Sequence, residues 1–465
     1  MFRIALSTVT LVVLFVRVIP AQSISFKTTT LSGGSPSVNG IVAGDFNKDG
    51  KMDIVVVNPG IDSFSYLEGL GNGTFAAPVT FSASASGAGP GAIVAADFNN
   101  DGNLDVAIVH PTTTSQGFGN AVTIHLGNGS GGFSSPGLVF FTGGTDTGIA
   151  VGDFNEDGIP DLAIASCDAG AIYIHLGNGD GTFNQFTTLP VAQCGGSATL
   201  AVQVADLNKD NHADIIAATL GDNQVVSVFL GEGTGNFGSR TQFPIVGSFP
   251  TSIAVGDFNR DGNPDLAVSN YTDNTVSILQ GDGAGGLTSA GTYSVGSSPL
   301  FVTVADVNHD GLLDVITSDY GGSSLSVLLG NGLGGFASAS NFSTGSNPFY
   351  IAVADFNADG LTDLAVANVG AENVTLLTNT LGACVTTVSP AAKTLISSGG
   401  TVNVTVSAPA GCGWAALSKQ TWLTVPFGSF GTGNGTTEVT VAPNYEASRS
   451  GTVSVGKKSL KITQN

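Results

Sequence analysis

Nine residues, "DFNADGLTD" from Asp355 to Asp363, recur six more times in altered form. The relatives are "DFNKDGKMD" from Asp45, "DFNNDGNLD" from Asp97, "DFNEDGIPD" from Asp153, "DLNKDNHAD" from Asp206, "DFNRDGNPD" from Asp257 and "DVNHDGLLD" from Asp306. Successive copies start 52, 56, 53, 51, 49 and 49 residues apart. A period near 50 means that one supersecondary unit is used many times, so a single globular core is excluded. In each unit an apolar strand enters the acidic turn and a second leaves it. A third ends in a glycine turn such as "TIHLGNGSGGF" or "SVLLGNGLGGF", and a more polar fourth leads onward. Four short strands per unit with Gly-rich turns predict a propeller blade.

The ends of the array suggest closure. The seventh unit stops at "NVTLLTNT" without a fourth strand, while "ISFKTTTLSGGSPS" precedes the first acidic turn. Phe26 lies 19 residues before Asp45, as Phe336 lies 19 before Asp355. The N-terminal segment is therefore expected to supply the missing strand of the last blade, closing a seven-bladed ring and removing its free edges.

Within the nonapeptide the pattern is strict where it is polar. Position one is Asp45, Asp97, Asp153, Asp206, Asp257, Asp306 and Asp355. Position three is Asn47, Asn99, Asn155, Asn208, Asn259, Asn308 and Asn357. Position five is Asp49, Asp101, Asp157, Asp210, Asp261, Asp310 and Asp359; position nine is Asp53, Asp105, Asp161, Asp214, Asp265, Asp314 and Asp363. Position six is glycine except at Asn211. Position seven varies: Lys51, Asn103, Ile159, His212, Asn263, Leu312 and Leu361.

Hard cations such as Ca2+ take six to eight oxygen ligands. Alternating carboxylate, amide and carboxylate on a tight loop supplies them. Position seven would add its backbone carbonyl, leaving its side chain free to vary, and position nine would close the cage. Asp, Asn and Gly are also ordinary turn formers, but turn chemistry does not demand an aspartate at position nine in every copy. Up to seven Ca2+ ions are expected, one per blade, with the fourth site weaker because Asn211 replaces glycine. The loops hold 21 of the chain's 35 acidic residues, and seven bound Ca2+ would bring the net charge from −21 to −7.

The acidic balance, 35 Asp and Glu against 14 Lys and Arg, argues against nucleic acid as a partner. The start, "MFRIALSTVTLVVLFVRVIPAQS", has the layout of a secretory signal peptide over residues 1–23, with no spanning segment expected after its removal. An even cysteine count in an exported chain allows two disulfides. Proximity in sequence favours Cys167–Cys194 and Cys384–Cys412 among the three connectivities.

The repeats resemble FG-GAP/VCBS repeats, as in the propeller of integrin α-subunits and in secreted bacterial proteins, over residues 24–381. That resemblance implies Ca2+-stiffened loops on one face of the ring, with ligands bound elsewhere. Residues 384–465 alternate apolar and polar residues and read as a small β-sandwich. Cys412, Trp414, Trp422, Asn444, Arg449, Gly451 and the closing Ile462–Gln464 resemble BACON-type domains, which implies a carbohydrate- or mucin-binding accessory module. Trp414 and Trp422 are read as core residues, and Arg449 as paired with a loop carbonyl or Glu446.

The expected fold class is thus all-β: a seven-bladed β-propeller followed by a small β-sandwich. No GxSxG, HExxH or P-loop motif occurs. His125 and His175 fall at equivalent places in neighbouring units, a repeated strand position and not a catalytic pair. The chain is expected to be a secreted or cell-surface monomer that binds a carbohydrate or an extracellular protein. The alternative is a polysaccharide lyase or hydrolase on a propeller scaffold. The repeats contain no tryptophan and six tyrosines, so sugar-stacking platforms are few there.

Overall fold

The computed structural model describes residues 24–35, 37–83, 89, 91–110, 121–134, 138–141, 146–167, 169–191, 201–219, 224–381, 387–408, 413–418, 420–426, 429–445, 447–455 and 458–465. Residues 1–23, the expected signal peptide, together with Glu446, Cys194, Cys384 and Cys412, lie outside these residues, and with them both expected cysteine pairings. Cys167 is buried at the end of its strand and is not a free cysteine.

The fold is all-β and propeller-like. The repeats form seven four-stranded antiparallel sheets. In the fifth, Pro250–Gly256, Asp265–Asn270, Thr275–Gly281 and Leu287–Ser294 pair in sequence order. The last sheet is completed from the other end of the chain. Phe26–Ser32 runs antiparallel to Asn373–Asn379, with Phe26 opposite Asn379 and Ser32 opposite Asn373. This is the strand pairing expected of the orphan N-terminal segment.

The second strand of each unit is a continuous apolar run because sheets cover it on both faces. In the six sheets where burial is described throughout this strand, every residue of it is buried. The first strands lie innermost and touch their neighbours in succession, the strand Pro348–Ala354 returning to Ile41–Gly44. Small residues permit the approach: a Cβ on Gly44 would lie 2.7 Å from Leu104 Cδ1 of the next unit. Neighbouring units are also tied by backbone bonds. Gly131, Gly181, Gly235 and Gly334, in the turns after the third strands, donate to the carbonyls of Phe46, Phe98, Phe154 and Phe258 in the preceding acidic turns. Gly73 of the first unit donates to Phe356 of the seventh at 3.1 Å, carrying the same bond across the seam.

The C-terminal strands form two further sheets that enclose a core of Val404, Val439, Val453 and Ile462. Trp414 is buried there, and its indole N–H donates to the Gly433 carbonyl at 2.9 Å. Arg449 lies 4.3 Å over the Trp422 ring and donates to the Ala442 and Pro443 carbonyls. Both tryptophans and Arg449 thus serve this module's packing.

Candidate metal centres in the acidic turns

Each acidic turn links the first and second strands, so all seven emerge at the same end of the sheets. The loop is organised by its own carboxylates. In the second turn, Asp97 accepts the N–H groups of Asp101 and Gly102. The Asn99 amide oxygen accepts the Asp101 N–H, and its NH2 donates to Asp101 Oδ2. Asp101 Oδ1 accepts the N–H of Asn103. The same ladder holds the other loops, with local exceptions.

Position six needs a left-handed backbone, which glycine adopts freely. Gly102 has φ +80°, and Asn211 takes the same place at φ +69°, as expected for a residue that tolerates this region. Position four is also left-handed in every copy, although it is never glycine: Lys48, Asn100, Glu156, Lys209, Arg260, His309 and Ala358 have φ between 55° and 63°. Such a conformation costs roughly 1–2 kcal/mol for most residues. It carries side chains toward the next unit. Glu156 Oε1 meets His212 Nδ1, the His309 ring nitrogen Nε2 accepts the Thr362 N–H at 3.0 Å, and the charge of Lys48 stabilises the ionised Asp101.

Position nine has a structural task that the sequence did not disclose. All seven aspartates are buried. In each, one oxygen accepts the N–H of position two, as Asp53 does from Phe46 and Asp105 from Phe98. The other accepts an N–H at the end of the third strand: Gly69, Gly127, Gly177, Gly231, Gly281 and Gly330, with Asn379 in the seventh unit. The carboxylate therefore clasps acidic turn, second strand and third strand together. A carboxylate oxygen has a second acceptor site, so the clasp does not exhaust its lone pairs. Position two is the apolar anchor beneath it: Phe46, Phe98, Phe154, Leu207, Phe258, Val307 and Phe356 are all buried.

The electrostatics of these loops favour a cation. Burial, helped by the charges at positions five and one, pushes Asp105 and Asp161 up to about 6, and Asp363 likewise. In the sixth loop, where Asn308 and Asp310 are also buried, Asp306 rises to about 7 and Asp314 is raised well above its ordinary value. Asp257 Oδ1 is a buried acceptor without a hydrogen-bond partner. Among the described residues, however, no three Asp, Glu, His or Cys side chains are gathered as a ready metal cage. The Asn at position three and the carbonyl at position seven would have to complete the donor set. In donor type and charge, though not in the present spacing of their carboxylates, the seven turns suit a hard divalent cation, which positions one, three, five, seven and nine would hold. Bound there, it would supply charge neutralisation and stiffening of the turn.

The side chain at position seven is not indifferent, contrary to the expectation from its variability. Lys51 Nζ forms an ion pair with Asp49 Oδ2 at 2.8 Å and holds the Asp49 carboxyl below its usual range. His212 is engaged by Glu156.

Sequence reasoning also passed over a polar latch at the far end of the second strand, five residues after position nine. The Asn58 amide oxygen accepts from Ser65 Oγ, Asn270 donates to Ser277 Oγ and Asn368 to Thr375 Oγ1; His110 pairs with Thr123, and Asp319 accepts from Ser326. The signal was present as a polar residue ending each apolar run. His125 and His175 oppose Val106 and Leu162, each one residue past position nine, so they do occupy equivalent strand sites.

A family model for FG-GAP-like repeats matches residues 45–108, 153–217, 206–268, 259–317 and 306–366, more than half of the chain. The chain belongs to that family of repeat proteins. Two solved structures share its fold: BBS1N in complex with ARL6DN, soaked in one case with mercury and in the other with lead. Each is 12% identical with a TM-score of 0.53, covering 77% of this chain and 97% or 98% of the other.

Proposed function

We propose that this chain is a secreted or surface-exposed binding module whose acidic turns take up Ca2+, with a carbohydrate or an extracellular protein as its ligand. The observation that carries this reading is the acidic turn itself, repeated round a propeller-like fold with a buried carboxylate at the close of every copy. Family membership supports a binding role, and BBS1N, which shares the fold, is bound to a protein, ARL6DN. Among the described residues no helix is long and apolar enough to cross a membrane. Release into a calcium-rich exterior suits loops with clustered carboxylates, because weak extracellular sites fill at about 10⁻⁴–10⁻³ M Ca2+.

The test is thermal unfolding of the full chain in millimolar Ca2+, in Mg2+ and in chelator. A ligand present at 100 times its Kd adds about 2.7 kcal/mol per site. Several filled sites therefore raise the melting temperature by many degrees in Ca2+. Identical melting in the three conditions overturns the calcium reading.

A further inference from the structure

Arg260 occupies position four of the fifth acidic turn, with a left-handed backbone (φ +63°). It borders a cleft of about 360 Å3 between that turn and the C-terminal module. Asn331 and Leu333 of the sixth unit also face this cleft, opposite Leu417, Gln420 and Thr421 of the module. Among the described residues, no carboxylate lines it, in a chain with 35 acidic side chains.

Two atoms of the fifth turn stand out. Arg260 Nη2 is buried with no hydrogen-bond acceptor, and Asp257 Oδ1 is buried with no donor. They belong to the same loop, yet no ion pair joins them. A buried guanidinium donor needs an acceptor, and carboxylate is the group whose geometry it matches. Asp257 Oδ1 suits a cation, and Arg260, which lines the cleft, suits an anion bound there.

We infer that the cleft between the fifth acidic turn and the C-terminal module is a binding site for a carboxylate-bearing sugar, a uronic acid residue, held through its carboxylate by Arg260. The inference rests on the binding-module reading and names a ligand class for it. A monoanion is favoured over phosphate or sulfate because Asp257 and Asp310 lie within electrostatic reach of Arg260 and repel a second negative charge more strongly. The rest of the lining suits the rest of a sugar. The Asn331 side-chain oxygen is taken by the Leu333 and Gly335 amides, so its NH2 is what it offers a ligand. Gln420 and Thr421 add polar groups for ring hydroxyls, and Leu333 and Leu417 add apolar surface for a C–H face.

The test is a calorimetric and NMR titration of the full chain with glucuronate, glucose, inorganic phosphate and sulfate, in Ca2+ and in chelator. Saturable glucuronate binding is expected, at least tenfold tighter than glucose or either inorganic anion. Arg260→Gln should weaken it at least tenfold, and Arg260→Lys should restore part of it. Unchanged melting of Arg260→Lys certifies the fold. Glucuronate binding that survives Arg260→Gln overturns the inference. So does glucose binding equally well, or phosphate or sulfate binding more tightly, or no glucuronate binding at all. A calcium-dependent melting shift in a chain that ignores glucuronate sinks only this inference; no calcium shift beside Arg260-dependent glucuronate binding sinks only the calcium reading.

Discussion

Glu156 and His212, 56 residues apart, meet side chain to side chain between the third and fourth acidic turns. Glu156 stands at position four of one turn and His212 at position seven of the next. The fourth turn is the one with Asn211 in place of glycine, and it borrows a carboxylate from its neighbour. Glu156→Gln is expected to weaken calcium binding at the fourth turn about fivefold, the effect of roughly 1 kcal/mol from one nearby charge at high dielectric. Site-resolved calcium titration by NMR, following the Gly158 and Asn211 amides, reads it. An unchanged fourth site would show that the contact is only a surface pair.

Positions five and nine make opposite predictions about metal-free stability. Asp105 is buried and accepts the Phe98 and Gly127 amides. Asp105→Asn places an NH2 against one of those donors and is expected to destabilise the chelated protein by about 2 kcal/mol, the usual penalty of an unsatisfied buried donor. Asp101 is exposed and bonds only within its own loop. Asp101→Asn is expected to leave the chelated protein near wild type while reducing the calcium-dependent rise in melting temperature. Denaturant unfolding with and without chelator separates the two roles.

Much of this was legible in the residues. The period near 50, the four-strand unit and the orphan strand at Phe26 follow from spacing alone, because a repeat that buries its faces against its neighbours must keep its length. The clasp at position nine was not legible. Its partners, Gly69 or Asn379, are 16 residues away, and a buried carboxylate serving two amides has the same letter as one serving a metal. Position four was hidden for another reason. Lys, Asn, Glu, Arg, His and Ala share no chemistry there, only a φ near +60°, which one-letter sequence does not record. The Lys51–Asp49 pair escaped because a variable position was equated with an idle one.

The strand Phe26–Ser32 is expected to be indispensable to a closed ring. Without it, Asn373–Asn379 would present unpaired N–H and C=O groups along a seven-residue edge, the arrangement that invites pairing with other chains. Deleting residues 24–32 should yield oligomers by light scattering and a broadened unfolding transition. Phe26→Ala, which removes a ring packed edge-on against Phe342 at 5.0 Å, should lower stability by about 2–3 kcal/mol without oligomers, below the full core-Phe penalty because Phe26 is half-buried. A monomeric, cooperatively folding deletion would remove the case for closure by this strand.

Asp319 gives a pH dependence remote from the acidic turns. It ends the second strand of the sixth sheet and accepts hydroxyls of Ser326, Thr317 and Ser324. Burial, opposed only in part by those bonds, raises its carboxyl to about 6. A raised carboxyl favours the protonated folded state, so this group's contribution is greatest below about pH 4 and declines as pH climbs to about 6. The decline amounts to at most about 3 kcal/mol, since each tenfold difference in proton affinity between folded and unfolded chain is worth about 1.4 kcal/mol. Asn58, Asn270 and Asn368 hold the same place in other sheets with no charge to bury. Asp319→Asn is therefore expected to abolish this decline and to leave the variant more stable than wild type at pH 7. A wild-type and variant pair with parallel stability–pH curves between about pH 4 and 6 would contradict it.

Lys51 makes the first acidic turn the test of competition between an internal cation and an external one. Its ammonium sits 2.8 Å from Asp49 Oδ2, the oxygen that in the second, third and fourth turns accepts the NH2 of position three. A divalent ion entering the first turn must displace that ammonium or share Asp49 with it. Exposed ion pairs are weak and screened by salt, so the displacement is feasible but leaves the first site at a disadvantage to the third, where position seven is Ile159. Lys51→Ile is expected to strengthen calcium binding at the first turn about three- to tenfold, one charge at close range being worth roughly 1 kcal/mol at high dielectric. Raising ionic strength from about 0.05 to about 0.5 M should narrow the difference between variant and wild type, because the Lys51–Asp49 attraction is screened. Calcium titration followed at the Gly50 amide resolves the site. Equal affinity of variant and wild type at low salt would mean that Asp49 is not a ligand in this turn.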